Sequence, residues 1–246
     1  MKQMLVFAAL LSVTGLYGQN SFQPASWGMP AGRMEIEGLQ SGPVTGRPVS
    51  GKEVRRTSQT LSDGTLVEHS DVSYFYRDAV GRMREESPDR VEIFDPVARM
   101  EYDLNIRSKT YRRIPIPAGA TSISVGVVGG ASHTSIVTDS GDGHRKASSS
   151  DPNTTPEDLG RQTVNGLWAQ GSRVTVKVPV GAFGNNREVR IVNERWYSEE
   201  FQMLLKSSNN DPRFGLNVYE LTEIKQTPPN PALFEPPSDY KLVSRD

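Results

Sequence analysis

The strongest constraint on this chain is a period-two alternation of apolar and polar residues, with turn residues between the runs and one long interruption. Successive side chains on a strand point to opposite faces, so this pattern specifies half-buried strands and not helices. It is most regular in Pro179–Thr222. Val189 and Ile191 share one face there, and Val192, Glu194 and Trp196 share the other. Phe201, Met203 and Leu205 line one side of the next run. Leu216 and Val218 oppose Tyr219 and Leu221 in the third. A Gly/Asn corner, a tight turn and a DPRFG turn (Asp211–Gly215) make this a three-strand meander.

The first half has the same logic. Lys52–Leu61 and Thr65–Arg77 flank Ser62-Asp63-Gly64, a hairpin signal because Asp-Gly tolerates positive φ. Ala79-Val80-Gly81 is a second turn. Arg82–Glu86, Arg90–Phe94, Arg99–Leu104 and Thr110–Ile114 follow as short strands, closed by Pro115 and Pro117. Residues 118–158 break the alternation. SISVGVVGG offers at most a weak strand, and the Ser/Asp/Gly/Pro-rich remainder has too little apolar surface to offset its ordering entropy, so a flexible loop is expected at about 118–158. Leu159–Val164 and Leu167–Val180 restart the sheet around Asn165-Gly166. In the proline-dense tail, Pro231–Phe234 reads as one helical turn capped by Asn230, with Leu233 and Phe234 pinning it to the sheet.

The N-terminus has a different pattern. Lys2 precedes an apolar run, Met4–Val13, that is too short to cross a bilayer as a helix. Residues 1–18 therefore read as a signal peptide with cleavage near Gly18, and the mature chain is expected to be periplasmic or extracellular with no transmembrane segment. Residues 19–50 read as a loosely ordered arm, and 51–246 as one β domain. The 246 residues carry 28 Lys+Arg against 29 Asp+Glu, a balance that argues against a nucleic-acid partner. With no cysteine there is no disulfide framework, thiolate zinc site or cysteine nucleophile.

No catalytic constellation assembles in the sequence. A triad needs a fixed imidazole; His69 sits in a polar strand, and His133 and His144 fall in the loop. Asp139–His144 (DSGDGH) lacks the spacing and closing glutamate of a calcium loop. Glu85-Glu86 and Glu199-Glu200 are adjacent pairs, which on a strand point to opposite faces and read as solubilising charge. Gly181–Asn186 (GAFGNN) has no following lysine or helix and reads as a β-corner. The expectation is a non-enzyme with no metal and no cofactor. The aromatics at strand positions have two readings. One is cross-strand packing. The other is an apolar concave face for a lipid-like ligand, with Tyr74, Tyr76, Tyr102, Trp168, Trp196, Phe201 and Tyr219 as the ligand-binding residues.

Several stretches carry a family resemblance. RVEIFDPVARMEYDLNIRSKTYRRIPI (Arg90–Ile116), ERWYSEEFQMLLKS (Glu194–Ser207) and NPALFEPPSDYKLV (Asn230–Val243) resemble LolA/LolB-like exported proteins, the outer-membrane lipoprotein carrier-like superfamily. RDAVGRMREE (Arg77–Glu86) and DPRFG are similar to pieces of uncharacterised exported bacterial proteins. The resemblance implies a mainly β fold: one curved antiparallel sheet of about eleven strands, an open half-barrel with few or no helices and an apolar inner face. It also implies a role in binding a lipid-like or apolar ligand on the concave face. The alternative is an envelope interaction module that docks a protein partner through a sheet edge or the polar loop.

Overall fold

The computed structural model describes residues 43–117, 120–128, 131–138 and 152–243. The expected signal peptide, most of the arm and the DSGDGH segment lie outside these residues. The first half of the chain forms β1 (Val49–Thr60), β2 (Leu66–Arg77), β3 (Met83–Glu86), β4 (Arg90–Asp95), β5 (Met100–Asn105) and β6 (Thr110–Pro115). Two strands, β7 (Ala120–Val128) and β8 (Ala131–Thr138), pair with each other. The second half forms β9 (Thr154–Val164), β10 (Leu167–Val178), β11 (Val189–Ser198), β12 (Met203–Asp211) and β13 (Gly215–Lys225), then a 3-10 turn (Pro231–Phe234) and β14 (Lys241–Leu242).

Twelve of these strands make one open sheet in the order β14-β6-β5-β4-β3-β2-β1-β13-β12-β11-β10-β9. Each neighbouring pair is antiparallel except β14–β6, which is parallel. The chain runs outward from β1 to β6, re-enters at the opposite edge as β9, and works back until β13 docks on β1. The twelfth strand is the short β14, which the proline-dense tail concealed. The expected loop at 118–158 contains β7 and β8, and β9 already begins at Thr154. Thr154–Glu157 hid its strand because β9 is an exposed edge and needs no apolar alternation.

Two hydrogen bonds set the curvature. Strands in a flat sheet are ~4.8 Å apart, so three spacings are roughly 14 Å. Asn165, at the β9–β10 tip, nevertheless donates Nδ2 to the Leu221 carbonyl on β13 at 2.7 Å. Arg77 at the end of β2 donates Nη2 to the carbonyl of Phe201, in the β11–β12 turn, at 2.7 Å. The sheet therefore curls toward the face that carries Arg77 and its register partner Val49. Register shifts at Gly171/Ser172 and Trp196/Tyr197 lie in the β9–β12 half that curls, and bulges bend strands.

One apolar core fills the curled end: Val49, Leu167, Trp196, Phe201, Leu205 and Leu221 are all buried. A second core lies on the other, convex face, where Val91, Ile93 and Leu104 are covered by Phe234. Asn230 caps the 3-10 turn by accepting from Ala232 N at 3.0 Å. The RDAVGRMREE stretch holds this cover in place. Asp78 accepts from the backbone of Val80 and Arg82 and from Arg82 Nε, which shapes the turn. The Arg82 guanidinium then lies over the Phe234 ring at 4.9 Å, and Arg84 Nη1 donates to the Leu233 carbonyl at 3.0 Å.

Candidate functional site

Alternation puts every second residue of β1–β6 on the concave face, and the register aligns these residues across strands. One line runs Glu85–Glu92–Asp103–Arg112 across β3, β4, β5 and β6. The next line runs Val49–Arg77–Met83–Phe94–Glu101–Ile114 from β1 to β6. The concave face is thus not uniformly apolar. A charged row lies beside an apolar one, and the tyrosines of β2 and β5 point the other way.

The charged row has two parts. In the first, Glu53 accepts from Ser73 Oγ at 2.7 Å, from Arg55 Nη2 at 3.1 Å and from the Tyr219 hydroxyl at 2.9 Å. Arg55 also donates to Ser73 Oγ at 2.8 Å and to Glu85 at 3.2 Å, and it lies over the Tyr219 ring. Burial, reinforced by the nearby Glu85 carboxylate, pushes the Glu53 carboxyl above the ordinary glutamate range. Burial also pushes the Tyr219 phenol well up, so it stays a hydrogen-bond donor. Within this group only Arg55 Nε is buried without a hydrogen-bond partner among the described residues.

The second part differs. Arg90 reaches Glu92 at 2.7 Å and Asp103 at 2.8 Å, and Arg112 also binds Asp103. Burial raises the Asp103 carboxyl, but the hydrogen bonds from Arg112 and Arg90 outweigh it and hold it below the usual range. Glu101, two residues away on the same face, is only 8% exposed and has no hydrogen bond or ion pair among the described residues. Burial first, then repulsion from Glu92 and Asp103, raises its carboxyl. An open groove of about 320 Å³ lies at the strand ends beside this part, between Asp89, Arg90, Asp103 and Arg112 on one side and Leu104, Tyr111 and the tail residue Val243 on the other, and Glu101 does not line it.

The aromatic residues expected to bind ligand do not form one surface. Tyr219 belongs to the charged row. Tyr76 and Tyr102 each pack against the second core on the convex face, with β3 and β4 between them. Tyr74 shares their face and is 44% exposed, and Trp168 on β10 is 64% exposed. Trp196 and Phe201 are buried together in the first core, Phe201 from a turn and not from a strand. Alternation shows which residues share a face, but not which face becomes concave. The row itself was missed because its members, taken one strand at a time, resemble ordinary solvent-facing charge.

Among the described residues no helix is long and apolar enough to cross a membrane. No protein-family model matches the chain, and no curated protein does. Several solved structures are similar to it at low identity. One is an uncharacterised conserved protein from Thermus thermophilus, at TM-score 0.41 and 10% identity, covering 81% of this chain and 91% of that one. Another is the MucA/MucB complex of Pseudomonas aeruginosa, at 0.37 and 14%, covering 81% and 59%. A third is a LolA superfamily protein from Nitrosomonas europaea, at 0.22 and 10%, covering 78% and 92%.

Proposed function

We propose that the chain is an exported, periplasmic, non-enzymatic binding protein whose concave face holds a slender amphipathic ligand. The apolar part lies along Met83, Phe94 and Ile114, and the polar part faces Glu85, Glu92 and Asp103. The observation that carries this reading is the placement of a charged and an apolar line side by side on one face of an open, curled sheet. Roughly a tenth of each carboxylate side chain of the row stays open to solvent, which suits a single chain better than a bulky ring. The non-enzymatic reading is supported by the Glu53 group, whose carboxylate, Ser73 hydroxyl and Tyr219 phenol bond to one another or to Arg55 and leave no nucleophile aimed at open space. Native mass spectrometry of protein purified from the periplasm without detergent, combined with titration of a fluorescent acyl probe, tests the reading. A co-purifying ligand or saturable probe binding is expected. Absence of both overturns it.

A second reading is favoured by β9, an eleven-residue strand at one edge of the described sheet, where a partner could add a strand. Pro156, Glu157, Asp158 and Arg161 interrupt that edge in the manner of strands protected against pairing, so it ranks second.

A further inference from the structure

We propose that Glu101 is the counter-ion for a primary ammonium group on the ligand, so that the concave face selects amine-bearing apolar chains. The inference rests on the binding reading above and names the ligand's chemical class.

Every other acidic group of the row is engaged. Glu53 has Ser73, Arg55 and Tyr219; Glu85 has Arg55; Glu92 has Arg90; Asp103 has Arg90 and Arg112. Glu101 is as buried as these and has no such partner among the described residues. Arg90 attracts the Glu101 carboxylate, but burial and repulsion from Glu92 and Asp103 outweigh that attraction, so its ionised form is a penalty on the fold that a neutral side chain of the same size avoids. A bound cation removes that penalty.

The surroundings indicate which cation. Glu101 lies in the apolar line, between Phe94 on β4 and Ile114 on β6, with Met83 one strand further. An ion bound there must bring apolar surface with it. The described residues hold no group of three acidic or histidine side chains suited to a metal ion. An ammonium is compact and points three donors outward, so it can meet Glu101 while its alkyl chain lies along Met83 and Phe94.

The test is calorimetric titration of the full chain near neutral pH with three ten-carbon probes below their aggregation limits: decylammonium, decanol and decanoate. Wild type is expected to bind the ammonium at least about tenfold more tightly than the alcohol, and decanoate most weakly. Glu101→Gln should abolish the ammonium's advantage over the alcohol. Glu101→Leu checks folding separately: without ligand it should melt higher than wild type, because it removes an unpaired buried acid. Equal binding of ammonium and alcohol by wild type, or an ammonium preference that survives Glu101→Gln, overturns the assignment and leaves the apolar-ligand reading standing. Failure of all three probes to bind overturns both.

Discussion

Glu101 and Asp103 share one strand face, yet their titrations are pushed in opposite directions, and this gives the row a signature in pH. Glu101 is raised, so its contribution to stability is fully present below the ordinary glutamate value of 4.5 and is lost as pH rises through the raised value. Asp103 is lowered, so its contribution is present above 3.8 and is lost as pH falls through the lowered value. Glu101→Gln removes only the first effect. Melting temperatures measured from about pH 4 to pH 7 should show the variant matching wild type at the acid end and gaining on it as pH rises; parallel curves would mean that Glu101 is not strained. A second single-residue prediction concerns Gly171. A Cβ there would fall inside contact distance of the Trp196 indole, which packs flat on the glycine. Gly171→Ala should cost about 1–3 kcal/mol and change the tryptophan fluorescence, because the indole must move. An unaltered emission spectrum would show that the ring does not rest there.

Among the elements, the tail is where local sequence and tertiary structure agree best. Phe234 is 1% exposed and covers Val91, Ile93 and Leu104 from a turn that Asn230 caps and Arg84 ties down. Phe234→Ala should cost about 3–5 kcal/mol, seen as a lower urea midpoint at an unchanged slope. A loss of far less would mean that the tail only lies on the surface. The capped turn was legible in the sequence because each of its signals is local: a proline at the first position, an Asn before it and two apolar residues within reach. The strands of both halves were legible for the same reason, since turn residues and alternation act over a few positions. The charged row was not legible. Arg90 and Glu92 on β4, and Glu101 and Asp103 on β5, alternate with the buried Val91, Ile93 and Leu104, which is how a strand with one wet face also reads. Only the curl of the sheet turns that wet face inward, and the contacts that set the curl join residues as far apart as Arg77 and Phe201. The amphipathic pattern is present in the sequence, but the direction of the bend depends on these long-range contacts.

For the whole molecule, the path of the chain makes its polar middle segment a structural connector. β6 and β9 stand ten strand spacings apart in the sheet, which is roughly 48 Å measured along it and less across the curl. Residues 116–153 must join them, because no other part of the chain leads from one side to the other. The seam that completes the sheet, β1 against β13, pairs residues such as Glu53 and Leu221, so its contacts are highly non-local and should form late in folding. The late partner can reach its place only if the connector lets β9–β13 swing around to the far side of β1. Length, and not composition, is then the property under constraint. Replacing residues 118–151 by a Gly/Ser linker of about 20 residues, whose root-mean-square span is roughly 25 Å and whose maximum is far longer, should keep the twelve-strand sheet and its cooperative unfolding. A four-residue linker in the same place spans at most ~14 Å by itself. It should expose the backbone amides of β9 and β10 to fast hydrogen exchange, or drive the second half onto the β1 of another molecule as a swapped dimer. Size-exclusion chromatography with exchange measured strand by strand distinguishes these results. A monomer with protected β10 amides on the four-residue linker would mean that the sheet closes far more tightly than its open order implies.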